Sequence, residues 1–342
     1  MKVHPVVSII IPNWNGRKFL EECLDSIEKQ TFSDFEVIFV DNGSSDGSAD
    51  WVRSRYGQWV RVIRNSTNLG FAEGNNIGIR IARGKYIVVL NNDTVADPKW
   101  LEELVKPAEA DPSIGMFLSK ILSYSRPTII DATGELLSRD GLNRARGQFE
   151  EDHGQYDSDV EIFYPPGCGA LYRKTMLDEI GLFDEDFFAY GEDTDLGLRG
   201  RWAGWRCIYI PQSIIYHKGS GTTGRYSPFK AFYVERNRIW VIVKCFPFTH
   251  LWMSPVYTLL RYFYQGYGAL THRGAAGQFA SQYSIFRLGW ILLTAYGSAF
   301  KGLLRMWHKR KALNSVKRVG SKEFGKWLKR YGISAKKIAL MN

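Results

Sequence analysis

Between residues 6 and 90, short β-branched runs alternate with helix-like segments, and this alternation restricts the fold more than any other feature of the chain. VVSIII (6–11), FEVIFV (35–40), WVRVI (59–63) and KYIVVL (85–90) read as buried strands. RKFLEECLDSIEKQ (17–30), SADWVRSRY (48–56) and FAEGNNIGIRIA (71–82) read as helices. Strands and helices in this order predict right-handed βαβ units, hence an α/β fold with a doubly wound, largely parallel sheet and flanking helices. Ligands of such sheets sit beyond the carboxyl ends of the strands. Function is therefore expected in PNWNG (12–16), DNGSSDGS (41–48), NSTNLG (65–70) and NNDTVADP (91–98).

Beyond this core, residues 119–160 are polar and read as a loop-rich excursion above the sheet. There follow PPGCGALYRK (165–174), a helix from about Thr175 to Ile180, GLFDEDFFAYGEDTDLGLRGRWAGW (181–205), a strand CIYIP (207–211) and IIYHKGSGTTGR (214–225). No internal repeat or low-complexity segment interrupts the chain. With 342 residues and 45% hydrophobic content, it has enough apolar material for a large folded domain and an appendage, and too little for a polytopic membrane protein. Cys23, Cys168, Cys207 and Cys245 form no C-x-x-C pair, which argues against a zinc knuckle or a disulfide framework and fits a reducing cytosol. The first 25 residues lack a basic n-region, a longer apolar run and a cleavage site, so no secretion signal is expected.

Charge divides the chain. Residues 1–225 carry 25 Lys and Arg against 33 Asp and Glu, a net −8, whereas residues 226–342 carry 20 against 2, a net +18. So basic a segment calls for an anionic partner, either nucleic acid or the anionic cytoplasmic face of a membrane. Two uncharged runs, CFPFTHLWMSPVYTLL (245–260) and LGWILLTAYGSAF (288–300), fall short of the ~20 apolar residues that a spanning helix needs and read as interfacial or re-entrant. In AFKGLLRMWHKRKAL (299–313), Phe300, Leu303, Leu304 and Trp307 form one apolar stripe flanked by Lys301, Arg305, Lys309 and Arg310. The stripe either packs onto the α/β portion of the chain or suits the headgroup boundary of an anionic bilayer. Nucleic acid would use the charge but not the aromatic runs, so a membrane surface is the expected partner.

Three places could carry chemistry. Asp93 follows a hydrophobic strand; alone it would read as an Asx turn or a helix cap ahead of Pro98, but Asn91 and Asn92 add oxygen donors of the kind that hard divalent cations take. GEDTDLGLR (191–199) gathers Glu192, Asp193 and Asp195 where a helix should begin. One acid there complements the helix dipole; three crowd one another and raise a pKa, as a general base requires. His217 follows a strand and precedes GSGTTG (219–224), which formally matches G-x-G-x-x-G and raises an NAD-dependent oxidoreductase as a rival. Against that rival, the motif comes late, Pro228 is expected to break any helix opening, and no strand ending in an acid follows about 20 residues on. Lys218 and Arg225 in the same loop could close over a diphosphate.

VSIIIPNWNG, VDNGSSDGS, NLGFAEGNNIGI, YIVVLNNDT, GLFDEDFFAYGEDTDLGLRGRWAGW and YHKGSG, in that order over about residues 6–225, resemble the family 2 glycosyltransferases, especially their rhamnosyltransferase-like branch. The resemblance implies a GT-A fold in residues 1–225, with residues 226–342 a basic, aromatic-rich helical region. It implies a nucleotide-sugar donor, a divalent metal (Mg²⁺ or Mn²⁺) and inversion at the anomeric carbon. By position, Asp41 would read the nucleotide base with Pro12, Asn13 and Asn15 around it, and Asn91, Asn92 and Asp93 stand where the family has D-x-D. Asp93 would bind the metal with His217, and Asp193 would be the catalytic base, with Glu192, Asp195, Lys218 and Arg225 in support. The expected reaction moves a sugar, rhamnose from dTDP-rhamnose, onto a cell-surface glycan with a polyprenyl-diphosphate-linked acceptor. The enzyme would then sit peripherally on the cytoplasmic leaflet. The contrasting reading is a non-catalytic nucleotide-sugar- or membrane-binding protein with the same fold.

Overall fold

A computed structural model describes residues 4–219, 224 and 226–341. Its elements run β1 (Val7–Asn13), α1 (Leu20–Glu28), β2 (Phe35–Asp41), α2 (Ser48–Tyr56), β3 (Val60–Arg64), α3 (Gly70–Ile81), β4 (Tyr86–Val89), β5 (Thr94–Ala96), α4 (Trp100–Ala110), β6 (Ile114–Ser123), β7 (Ile130–Ala132), β8 (Glu135–Ser138) and β9 (Asn143–Ala145). After them come β10 (Ala170–Arg173), α5 (Lys174–Ile180), α6 (Glu192–Trp202), β11 (Arg206–His217), α7 (Pro228–Cys245), α8 (Phe248–Leu270), α9 (Gly274–Gln282), α10 (Ile285–Val316), α11 (Ser321–Arg330), β12 (Gly332–Ile333) and α12 (Ala335–Leu340).

The chain folds into two compact units. The first comprises Met1–Glu135, Ala145–Arg201 and Trp205–Thr222. Its sheet has the order β3-β2-β1-β4-β10-β6-β11-β5, with β7 attached to β6. The β-branched runs β1, β2, β3 and β4 pair in parallel, as do β6 and β11. β10, β5 and β7 run antiparallel to their neighbours, so the sheet is mixed. The central strands are buried on both faces, because α1, α3 and α4 lay apolar sides such as Leu20, Leu24, Ile79 and Leu104 over them.

The second unit gathers Leu136–Arg144, Trp202–Gly204 and Thr223–Asn342. It is helical, with β12 pairing β8. The Trp202 ring stacks on Phe324 at 5.6 Å and meets Trp327 edge-on at 5.0 Å, while its indole N–H donates to the Cys245 carbonyl (2.9 Å). Pro228 does not stop a helix as expected. It occupies the first turn of α7 behind the Ser227 cap, where a missing N–H is harmless. The first uncharged run begins at Cys245, the end of α7, and continues into α8; the second lies within α10, one continuous helix of 32 residues. No helix among the described residues is long and apolar enough to cross a membrane.

Candidate active site

The polar residues after β1 and β2 join one hydrogen-bonded cluster. Asn13 lies in register with Asp41, and its Nδ2 donates to Asp41 Oδ1 and to Ser44 Oγ, both at 3.1 Å. The Asn13 side-chain oxygen accepts from Asn92 Nδ2 at 2.6 Å. Asp41 is fully buried and also accepts the Ser44 N–H (3.2 Å). Asn15, at φ 51°, donates its backbone N–H to Ser44 Oγ (2.9 Å) and accepts the Ser45 N–H on its side chain (2.8 Å). Pro12 stands beside them in β1, opposite Val40. Gly16 is required by close approach: a Cβ there would strike the Asn13 and Asn92 amides.

Asp93 lies between β4 and β5, with no helix start at hand, so it is not a helix cap. β5 pairs with the end of β11, setting Thr94 opposite His217, and the Lys218 N–H donates to the Asp93 carbonyl (2.9 Å). The pairing brings His217 Nε2 to 3.2 Å from Asp93 Oδ1, while Nδ1 lies 2.7 Å from Asp131 Oδ2. Burial opposes the imidazolium charge, but hydrogen bonds to Asp131 and Asp93 outweigh it and push the His217 pKa up to about 10. Asn91 Oδ1 is buried without a hydrogen-bond partner. The Asp93 carboxylate and Asn91 amide oxygen after β4, with the His217 imidazole at the end of β11 once a cation displaces its proton, are donor types that fit Mg²⁺ or Mn²⁺. Asp131 holds the far nitrogen of the ring, as an outer carboxylate does for a ligating histidine.

The third group opens α6. Phe188, Tyr190 and Gly191 all have positive φ, so the backbone turns sharply into Glu192. Asp193 is half-buried; it accepts the Gly167 N–H on Oδ2 (3.2 Å) and the Thr194 N–H on Oδ1 (2.7 Å). Burial raises its pKa. Glu192 is buried with Oε2 unpartnered, and burial, reinforced by the Asp193 charge, drives its pKa well up. Asp195 is fully buried and accepts from Arg199 Nε (2.8 Å), whose guanidinium also donates to the carbonyls of Ile180, Gly181 and Leu182. Asp195 thus anchors the turn between α5 and α6.

One loop, residues 165–169, joins the second and third groups. Gly167 donates to Asp193, and its neighbour Cys168 is held far above the usual thiol pKa by burial, with the Asp93 and Asp131 charges adding to the effect. Lys218 is engaged elsewhere: its Nζ lies 2.9 Å from Glu22 and 4.6 Å above the Tyr124 ring. Arg225 and residues 220–223 of the glycine-rich loop lie outside the described residues. Asp131 has no sequence signal beyond an acid in a loop, and Gly167 acts through a backbone N–H. Both are missed by a reading of side-chain motifs. A separate acidic group, Asp184, Glu185 and Asp186, belongs to a capped turn in which Asp184 accepts the Asp186 N–H.

The mixed sheet and strand-end site define a GT-A glycosyltransferase fold. It is similar to the solved mannosyltransferase PcManGT from Pyrobaculum calidifontis in complex with GDP-Man and Mn²⁺ (TM-score 0.52, 17% identity, 92% of this chain and 86% of that one). It is also similar to residues 1–349 of S. aureus TarS (TM-score 0.54, 17% identity, 97% and 90%). The model of glycosyl transferase family 2 matches residues 8–181, half of the chain, which therefore belongs to that family. Among curated relatives, the N-acetylglucosaminyl-diphospho-decaprenol L-rhamnosyltransferase of Mycobacterium tuberculosis is 25% identical over 244 residues (64% of this chain, 78% of the relative). The uncharacterized glycosyltransferase EpsJ of Bacillus subtilis is 37% identical over 234 residues (66% and 64%). These relationships leave no support for the oxidoreductase reading of GSGTTG.

Proposed function

We propose that this glycosyltransferase moves a sugar, with inversion, from a nucleotide-sugar donor to a hydroxyl of a growing cell-surface glycan. The donor we assign is dTDP-rhamnose, and the acceptor is linked to a polyprenyl diphosphate. The name of the mycobacterial relative, which joins rhamnosyl transfer to a diphospho-decaprenol acceptor, supports rhamnose as the sugar and a polyprenyl diphosphate on the acceptor. The observation that carries the reading is the meeting of Asp93 with His217 at 3.2 Å, linked through the loop at 165–169 to Asp193.

In this reading Asp41, Asn13 and Asn15 hold the nucleoside, with Pro12 beside them and Asn92 bracing Asn13. Asp93 and His217, with Asn91 nearby in sequence, would hold a divalent cation. Such a cation offsets the negative charge that develops on the departing nucleoside diphosphate. Asp193 accepts the acceptor hydroxyl's proton as the new C–O bond forms and the bond to the diphosphate breaks; such positioned proton transfer contributes about 10²–10⁴-fold. Glu192 and Asp195 shape its setting. Lys218 would have to leave Glu22 to reach a diphosphate. Catalysis falls to residues 1–225, while the basic region 226–342 attaches the enzyme peripherally to the anionic cytoplasmic leaflet.

Nucleotide sugars presented without acceptor, with and without Mn²⁺, test the assignment. The expected result is slow, metal-dependent release of nucleoside diphosphate, fastest from dTDP-rhamnose. A different preferred sugar would overturn the donor, and donor binding with no release at all would favour a non-catalytic binder.

A further inference from the structure

α8 and α10 turn the usual polarity of a surface helix inside out. The inward side of α8 carries Ser254, Thr258 and Arg261, all buried, while its outward side carries Trp252 (77% exposed), Val256, Leu259, Phe263 and Leu270 (83%), spaced three or four apart or at multiples of a turn. Beneath it lies a closed ionic network: Arg261 bonds Asp140 and Glu235, and Arg238 bonds Glu235 together with the hydroxyls of Tyr262 and Tyr296. α10 buries Ile291, Ala295, Ala299 and Met306 but exposes Phe286 (86%), Trp290, Leu293, Phe300 (76%) and Leu304. The Phe248 and Trp307 rings meet at 5.8 Å and the Tyr262 and Tyr296 hydroxyls at 2.9 Å, so the two helices run antiparallel and are bridged by long aromatic side chains, while α10 itself packs along α7.

In water this apolar surface would be unfavourable, since monomers rarely leave contiguous patches of more than a few hundred Å² uncovered. Charge identifies what covers it. Between Arg236 and Lys322 the chain has fourteen Lys and Arg and no Asp or Glu. Arg273, Arg287, Lys301 and Lys311 among them are exposed. A second copy would set like charges against one another. A phospholipid surface supplies phosphates for the cations and acyl chains for the Trp, Phe and Leu side chains.

We propose that α8 and α10 form a single bilayer-seated face, which holds the protein by burying apolar side chains below the headgroups, with charge as a secondary attraction. This deepens the membrane placement proposed above and rests on it. The full-length protein floated with neutral phosphatidylcholine vesicles and with vesicles containing anionic lipid, each in low and high salt, provides the test. Flotation with neutral vesicles in high salt is expected. Phe263→Glu combined with Phe300→Glu should lower the bound fraction at least about tenfold, with an unchanged melting temperature showing that the exposed substitutions leave the fold intact. Flotation only with anionic vesicles, abolished by salt, would overturn the apolar seat but leave the charge-based attachment standing. No flotation with any vesicle would overturn both. A concentration-dependent dimer that the double variant dissolves, without flotation, would assign the face to a second copy and overturn the proposal.

Discussion

Asp193 and Glu192 are neighbours on one helix turn, yet their surroundings act on them to different degrees. Two like charges so close cannot both ionise cheaply. Burial, reinforced by the Asp193 charge, drives the Glu192 pKa well up and leaves one of its oxygens unpartnered, whereas at Asp193 two backbone N–H donors work against the rise that burial causes. Asp193→Asn should therefore abolish transfer while leaving donor affinity within a few-fold, because the base acts on the acceptor. Titration calorimetry with the donor, beside a turnover assay, checks this; lost donor binding would make Asp193 a structural residue. Asp93→Ala and His217→Ala should each weaken metal-dependent donor binding, Asp93→Ala by at least about tenfold and more severely than His217→Ala because it removes charge. An unchanged Mn²⁺ response in His217→Ala would leave that ring a purely structural link between Asp93 and Asp131.

At the scale of elements, most of the α/β core was legible. β1, β2 and α2 fall within a residue or two of the β-branched and amphipathic segments that foretell them, because each is a local pattern. The antiparallel insertion of β10 between β4 and β6 was not, since periodicity says nothing about which strands become neighbours. Asp131 escaped notice because its role comes from β7 pairing with β6, a contact between strands rather than a motif. The polar inner face of α8 was equally hidden: an uncharged run reports its own hydropathy, and only the fold reveals that Arg261 turns inward. There Arg261 bonds Asp140 and Glu235 with no exposure to solvent. Arg261→Ala should destabilise the second unit by about 3–5 kcal/mol, since it takes the guanidinium from buried Asp140 and leaves buried Glu235 with Arg238 as its remaining described cation. Chemical denaturation followed by tyrosine and tryptophan signals measures it, and a change within about 1 kcal/mol would mean that water relieves the network.

For the molecule as a whole, one acid-sensitive point is the ionic network of the second unit. Burial works against ionised Glu235, but the Arg238 and Arg261 charges prevail and lower its pKa from 4.5 to about 2. A carboxyl depressed in the folded state contributes stability that is fully present above pH 4.5 and is lost as the pH falls towards 2. Melting temperature should therefore drop across that window, and Glu235→Gln should flatten the drop while lowering the stability at neutral pH. A wild-type profile that stays flat down to pH 2 would remove Glu235 from the account.

The weaving of the chain between its two units has a practical consequence for fragments. The second unit draws Leu136–Arg144 and Trp202–Gly204 from within the sequence of the first, so no single scission yields either unit intact. Trp202 ends the helix that Glu192 and Asp193 begin, and its ring meets Phe324, Trp327 and the Lys317 ammonium. Any C-terminal deletion reaching residue 324 strips both rings from that helix end. Truncation libraries would thus confound the second unit's own role with the integrity of the α6 end, and inactive short fragments would not separate the two.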